Sequence, residues 1–310
     1  MKSIDAIEYP VLLGGLSASL PSSAYEVAKS KPFFAKTYND LIRMVAALAS
    51  ANPEYRFLFR GQTREYCRIF EGSYIIPSIY RLDEKGNRRQ GLFDAALERL
   101  DEAELTLKCI VPYDIWDKLG RKVERWAVLQ HYEVCATPLL DMTSSLAVAC
   151  WFALHDASTG DKPIVYVFGL PYPQGPLSFD LSSGIFQLEL TSLLPPIAER
   201  PVFQNGYLVG TESDLNPRDG FISDYSKRLI AKIEIDNSHE FLSSLGISEG
   251  HLFPKVDPFL QIIEQVEWLL LSDDEFAAST CEHMFDGYQS DSLNNLFGFE
   301  PAPRSYYYNG

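Results

Sequence analysis

The sequence predicts an α+β fold with helices mainly in the first half and a largely antiparallel sheet, and three observations carry that expectation. Apolar residues recur at helical spacing in several segments before residue 155. The best strand, Pro163-Ile164-Val165-Tyr166-Val167-Phe168, comes after them, β-branched and aromatic and bounded by Asp161 and Gly169. Helix and strand patterns do not alternate as in βαβ units, which argues against a doubly wound parallel sheet.

Taken in order, residues 1–35 alternate apolar stretches with Gly14-Gly15, Pro21 and Pro32 and read as an irregular lead-in. Thr37 to Ala51 places Leu41, Met44, Val45 and Leu48 on one helical face, and Pro53 closes it. A strand is then expected over Tyr55 to Arg60. The competing reading is a helix that would align Arg56, Arg60, Arg64 and Arg68 at i, i+4 spacing. The run Phe57-Leu58-Phe59 favours the strand, which scatters these arginines. Tyr74 to Ser78 reads as a short extended piece, and Arg81 opens a polar loop containing Lys85-Gly86-Asn87. A helical region follows over Phe93 to Leu119, its acids toward solvent, and a second helix over Arg121 to Tyr132.

After a turn at Val134 to Pro138, Leu139-Leu140-Asp141 reads as extended and Ser144 to Leu154 as a nearly all-apolar helix, hence a core element. Further strands are expected at Tyr207 to Val209 and Leu229 to Ile235, with Gln204 at the start of the first. A helix capped by Ser238 should run to Leu245. The main domain is expected over 36–272, followed by an acidic, aromatic extension over 273–310 that ends in Tyr306-Tyr307-Tyr308.

Apolar residues make up 46% of the 310 and charged ones 22%, enough to bury a substantial core. The net charge of −15 repels phosphate backbones at a distance, which disfavours non-specific nucleic-acid binding but leaves room for a local basic pocket. Five scattered cysteines without a C-x-x-C pair make neither a disulfide framework nor a zinc site. No Walker loop, G-x-G-x-x-G, H-E-x-x-H or G-x-S-x-G occurs. The first apolar run is too short and interrupted for a signal peptide or membrane span, so a reducing cytoplasmic setting without membrane contact is expected.

Four segments appear in an order that resembles the FRG-domain family: FRGQ at 59–62 with PSIYR at 77–81, LQHYEVCATPLLDMTSSLAVACWFA at 129–153, RPVFQNGY at 200–207, and GISEGHLFP at 246–254. Against the family pattern, Glu133 stands where a glycine is usual, Pro138 where an arginine is usual and Met142 where a tryptophan is usual. More distantly, the family resembles the ADP-ribosyltransferase fold. That resemblance implies a central cleft, NAD as the substrate, and an arginine, a hydroxylic motif and a late acid or amide as site residues. In this sequence these are Arg60, Thr143-Ser144-Ser145 and Gln204. It implies ADP-ribose transfer to a macromolecule, nucleic acid or protein, or cleavage of the cofactor, in keeping with a toxin-like or antiphage role. The alternative is a non-enzymatic module that recognises a nucleotide, nucleic acid or protein through the same arginine. Oligomeric state is not implied.

Each candidate has two jobs open to it. Arg60 can fork onto a phosphate, or pair with an acid such as Asp141 as a structural arginine. Gly61 admits the close approach of a ligand or of a second backbone. Arg60, Gly61, Gln62, Arg81, Gln130, Tyr132, Asp141, Thr143 and Ser144 make up the expected NAD-binding set, and His131, Gln204 and Glu133 the expected catalytic set. His131 follows a helix end, where a cationic imidazole is favoured; it can act on a ribose hydroxyl or simply hydrogen-bond the following strand. Asp141 and Thr143 can hold a ligand or cap the next helix. Gln204 keeps hydrogen bonding but lacks the carboxylate of the fold's usual late glutamate, a task that Glu133 can take over. At a strand edge it would be merely structural.

Overall fold

The computed structural model describes residues 1–10, 20–68, 71–81, 90–111, 115 and 119–271. Ten strands are assigned among these residues: β1 (Phe33–Ala35), β2 (Arg56–Gln62), β3 (Cys67–Arg68), β4 (Gly72–Ser73), β5 (Leu140–Thr143), β6 (Ile164–Leu170), β7 (Leu177–Asp180), β8 (Ile185–Glu189), β9 (Gly206–Thr211) and β10 (Leu229–Ile235). Eight of them build one sheet in the order β1-β10-β6-β2-β5-β9-β8-β7, while β3 and β4 form a separate hairpin. Every pairing in the large sheet is antiparallel except β1 with β10.

The helices are α1 (Ala24–Lys29), α2 (Tyr38–Ala51), α3 (Gln90–Ile110), α4 (Lys122–His131), α5 (Leu146–Leu154), α6 (Leu190–Leu193), α7 (Glu199–Gln204), α8 (His239–Ser244), α9 (Glu249–Leu252) and α10 (Pro258–Leu271). Local chemistry sets their ends. Thr37 and Asp40 form a reciprocal capping box at the start of α2, satisfying two otherwise free backbone donors. Ser145 caps α5 by accepting from the Val148 N–H, and Ser238 caps α8 in the same way through Phe241.

Two apolar cores lie in this fold. One joins α2 and α5 to the central strands through Leu41, Leu48, Phe59, Val148, Ala149, Val165 and Ile233. The other gathers α3, α4 and α10 against β8 and β9 through Leu97, Leu100, Trp126, Leu129, Leu188, Leu208, Phe259 and Ile263. Strand β5 runs between β2 and β9, where the two cores meet, and its register pairs Phe59 with Thr143 and Thr143 with Gly206. The site residues concentrate along this seam.

Several boundaries differ from expectation. The strand at Tyr55 to Arg60 extends through Gln62, which rules out the helix that would have aligned the four arginines. Gln204 does not begin a strand: it is the last residue of α7, and Asn205 turns the chain in the left-handed conformation before β9 starts at Gly206. The second half holds helices α6 to α10 besides its strands, so the expected segregation is only partial. Strands β7 and β8 escape sequence pattern because β7 is a short edge strand whose Phe179 stays exposed. The polar loop at 85–87 and the extension from 273 lie outside the described residues. No helix among the described residues is long and apolar enough to cross a membrane.

Candidate functional site

Arg60 sits in β2 opposite Tyr166 of β6, and its Nη1 donates to the backbone carbonyl of Asp141 at 2.6 Å. The expected partner is thus right in residue but not in group, because the carboxylate of Asp141 is engaged elsewhere. Gln130 Nε2 donates to Asp141 Oδ2 at 2.6 Å, and Gln130 Oε1 accepts from the backbone N–H of Thr137 at 3.0 Å and from Ser78 at 3.3 Å. Gln130 therefore ties α4, the following turn and the 78–80 segment to β5, a structural job that uses both ends of its amide.

The Nε of Arg60 is buried with no partner among the described residues. Burial first, and then the like charge of Arg81, lower the pKa of Arg60 to about 10, opposed by Asp141 and Tyr166. The group remains a cation at neutral pH. Burial raises the Asp141 carboxyl, while Arg60, the Gln130 hydrogen bond, Arg81 and Arg200 pull it back down. Three guanidiniums thus converge electrostatically on one carboxylate. Arg81 is exposed, and Gln62 lies in β2 opposite Ile164.

Gly61 answers to a backbone and not to a ligand. A Cβ there would lie 1.8 Å from the Ala149 carbonyl oxygen of α5, so the strand and helix pack at a distance only glycine allows.

His131 packs over β9, where a Cβ on Gly206 would come within 2.9 Å of its Cε1. Its Nε2 is buried without a partner among the described residues. Burial, reinforced by the charge of Arg200, pushes its pKa down to about 3, so the imidazole is neutral and not the cation expected at a helix end. Tyr132 is structural: its hydroxyl donates to Asp257 Oδ2 at 2.9 Å, and its ring packs on Phe259.

Glu133 follows with φ 64°, in the left-handed region, and its carboxylate meets the guanidinium of Arg200. The family pattern's usual glycine at this position suits that backbone conformation. Thr143 donates to the Gln204 carbonyl at 2.7 Å and accepts from the Ser145 N–H at 3.0 Å, while the Ser144 N–H bonds the Asn205 carbonyl at 3.2 Å. The Gln204 side chain turns away to donate to the Leu252 carbonyl at 3.0 Å. Capping of α5 falls to Ser145 and not to Asp141 or Thr143.

Residues 55–162 match the family model of the FRG domain. The chain carries an FRG domain. A search of the curated proteins and another of the solved structures found no match. The matched region contains Arg60, Arg81, Gln130 to Glu133, and Asp141 to Ser144, whereas Arg200 and Gln204 join from outside it.

Sequence reading missed Arg200. Its side chain is 11% exposed and its guanidinium lies 4.5 Å from the ring centroid of Phe253 and 5.8 Å from that of Tyr132. The only signal was its place at the head of the RPVFQNGY segment. Also missed was Lys232 of β10, 2% exposed, which donates to Glu65, to Ser73 at 3.0 Å and to the Ala28 carbonyl at 3.0 Å. A single lysine inside a strand pattern gives no hint of such a partner set.

Taken together, Arg60, Arg81 and Arg200 can hold oxyanions, and the neutral His131 can exchange a hydrogen bond with a ligand hydroxyl. Glu133 supplies a carboxylate on the same turn.

Proposed function

We propose that the FRG domain binds a phosphate-bearing nucleotide, NAD in the first instance, through Arg60 and Arg81. In this reading it transfers ADP-ribose to a macromolecular acceptor, nucleic acid or protein. The observation that supports it is the Nε of Arg60, buried without a partner among the described residues and beside a second guanidinium, in a chain whose net charge is −15. The Asp141 carboxylate offsets part of the cost of desolvating a cation next to another, but it is one anion facing Arg60, Arg81 and Arg200. A further anion would complete the balance, and a phosphate forks onto guanidinium groups.

The bond between ribose and nicotinamide is already activated by the positive charge of the ring. The protein therefore has to hold the ribose and stabilise developing cation character, which needs positioning and a nearby negative group more than a strong acid or base. Glu133 is the carboxylate for that role. His131, neutral with a pKa near 3, serves as a hydrogen-bonding group and not as a general base at neutral pH.

A second reading, binding without turnover, draws support from Gln204. The side chain that would replace the fold's usual late glutamate is uncharged and already bonded to the Leu252 carbonyl.

The test is calorimetric titration of the protein with NAD and with ADP-ribose, alongside measurement of nicotinamide release in the presence of DNA, RNA and protein acceptors. Binding that Arg60→Ala weakens at least about tenfold, together with release, upholds the transferase. Binding without release leaves the recognition module. Binding that Arg60→Ala leaves unchanged, or no binding at all, overturns both.

A further inference from the structure

Arg200 has the properties of a receptor built before its ligand arrives. Its guanidinium is held near the rings of Phe253 and Tyr132, and its backbone N–H donates to Asp257 Oδ2 at 3.1 Å. Asp257 is itself fixed, 2% exposed and accepting from Tyr132 and from the Phe259 N–H at 3.0 Å. With its side chain 11% exposed and its Nε buried without a partner among the described residues, Arg200 has lost most of its freedom and keeps unused donor capacity.

Its present partner is the opposite in character. The Glu133 side chain is 72% exposed and stands on a turn residue with φ 64°, a conformation that an L side chain adopts reluctantly. A rigid, partly desolvated cation therefore holds an exposed surface carboxylate. His131 follows Gln130, which donates to Asp141 Oδ2 at 2.6 Å, and the Asp141 carbonyl accepts from Arg60 at 2.6 Å. This chain of contacts joins the corner to the Arg60 site, and the charge of Arg200 acts on both His131 and Asp141. His131 adds a second buried nitrogen without a partner among the described residues to the same neighbourhood.

We propose that Arg200 is a second oxyanion subsite beside the FRG domain, occupied by the Glu133 carboxylate in the free protein, and that a ligand phosphate displaces this carboxylate. The inference rests on the phosphate-binding reading of Arg60 and extends it from one phosphate contact to two. A ligand carrying two linked phosphates is the class selected. Glu133 then lowers affinity for such ligands and discriminates against weak anions, because any anion must compete with it.

Inorganic pyrophosphate is the probe, titrated calorimetrically at fixed ionic strength against the wild type, Glu133→Gln, Arg200→Lys and the double variant. Glu133→Gln should tighten pyrophosphate about fivefold or more, as expected when a competing internal group is removed. Arg200→Lys keeps the charge but loses the fork, and in its background the gain should vanish. Glu199→Gln, which removes a neighbouring acid without breaking the pair, should leave affinity within about twofold of wild type. A thermal melt of each variant checks that it folds.

No gain from Glu133→Gln, a gain of equal size from Glu199→Gln, or a gain that persists in the double variant, where Arg200→Lys has removed the fork, overturns the subsite. If the subsite fails while Arg60→Ala still abolishes pyrophosphate binding, the phosphate reading stands without it. If Arg60→Ala leaves binding intact, the underlying reading falls first.

Discussion

At the scale of single residues, Gly61 and His131 show how packing assigns roles. The glycine following Arg60 is required because α5 crosses β2 with the Ala149 carbonyl where a side chain would be. Gly61→Ala must push the helix off the strand, and we expect it to cost about 3 kcal/mol or more in urea unfolding; a loss under about 1 kcal/mol would show that the contact relaxes easily. His131, with its pKa lowered to about 3 by burial and by Arg200, couples stability to pH. Between its ordinary value of 6.5 and about 3 the unfolded chain takes up a proton that the folded chain refuses. The stability due to His131 is therefore lost as pH falls from 6.5 toward 3, by at most about 1.4 kcal/mol per pH unit. Asp141 acts in the opposite sense, since a raised carboxyl takes up its proton first in the folded state. Comparing unfolding of wild type and His131→Gln at about pH 7, 6 and 5 isolates the histidine, and the variant should lose less on acidification. Equal losses would mean that the imidazole titrates normally.

Among the elements, β2 and α5 carry the most. The sequence offered a helix with four aligned arginines or a strand with one arginine at the seam, and the apolar Phe57-Leu58-Phe59 run decides for the strand because β6 buries it. Helix α5 is apolar on all sides, so its own cap matters: Ser145→Ala should cost about 1 kcal/mol without altering the spectrum of the native state. A melt unchanged by that substitution would place the helix start under tertiary control alone. On the same strand layer, Lys232 of β10 holds Glu65, Ser73 and the end of α1 together. Lys232→Met should cost about 3 kcal/mol, since it leaves the half-buried Glu65 carboxylate with the Ser73 hydroxyl but without its cation, and adding Glu65→Gln should restore part of the loss. A single variant as stable as wild type would reduce the pair to a surface ion pair.

For the molecule as a whole, the sheet order places β6 between β10 and β2, with β1 and β7 at the edges. Ile164 to Phe168 are at most 1% exposed, whereas Phe34 of β1 and Phe179 of β7 are 53% and 46% exposed. Amide hydrogen exchange should therefore be slowest in β6 and fastest in β1 and β7. Exchange in β6 as rapid as at the edges would contradict the strand order. The same topology explains why an acidic chain can hold a cationic corner: β2, the 78–81 turn and α7 bring Arg60, Arg81 and Arg200 within electrostatic reach of Asp141 in β5, while acids such as Asp94, Glu98, Asp101 and Glu102 of α3 face solvent.

The sequence by itself determined the local grammar. The period of α2, the cap and apolarity of α5, the β-branched run of β6 and the serine that starts α8 are all properties of neighbours within a few residues, and each element formed where those neighbours asked for it. The same holds for the family-bearing segment around Arg60, which is a contiguous motif. Only the tertiary structure decided what the site residues face. Gln130 spends its amide on Thr137 and Asp141, Gln204 turns to Leu252, His131 is stripped of its charge, and Arg200 enters from a helix outside the matched domain. Hydrogen-bond partners, desolvation and like-charge crowding depend on atoms brought together from distant parts of the chain. No pattern within one segment encodes them.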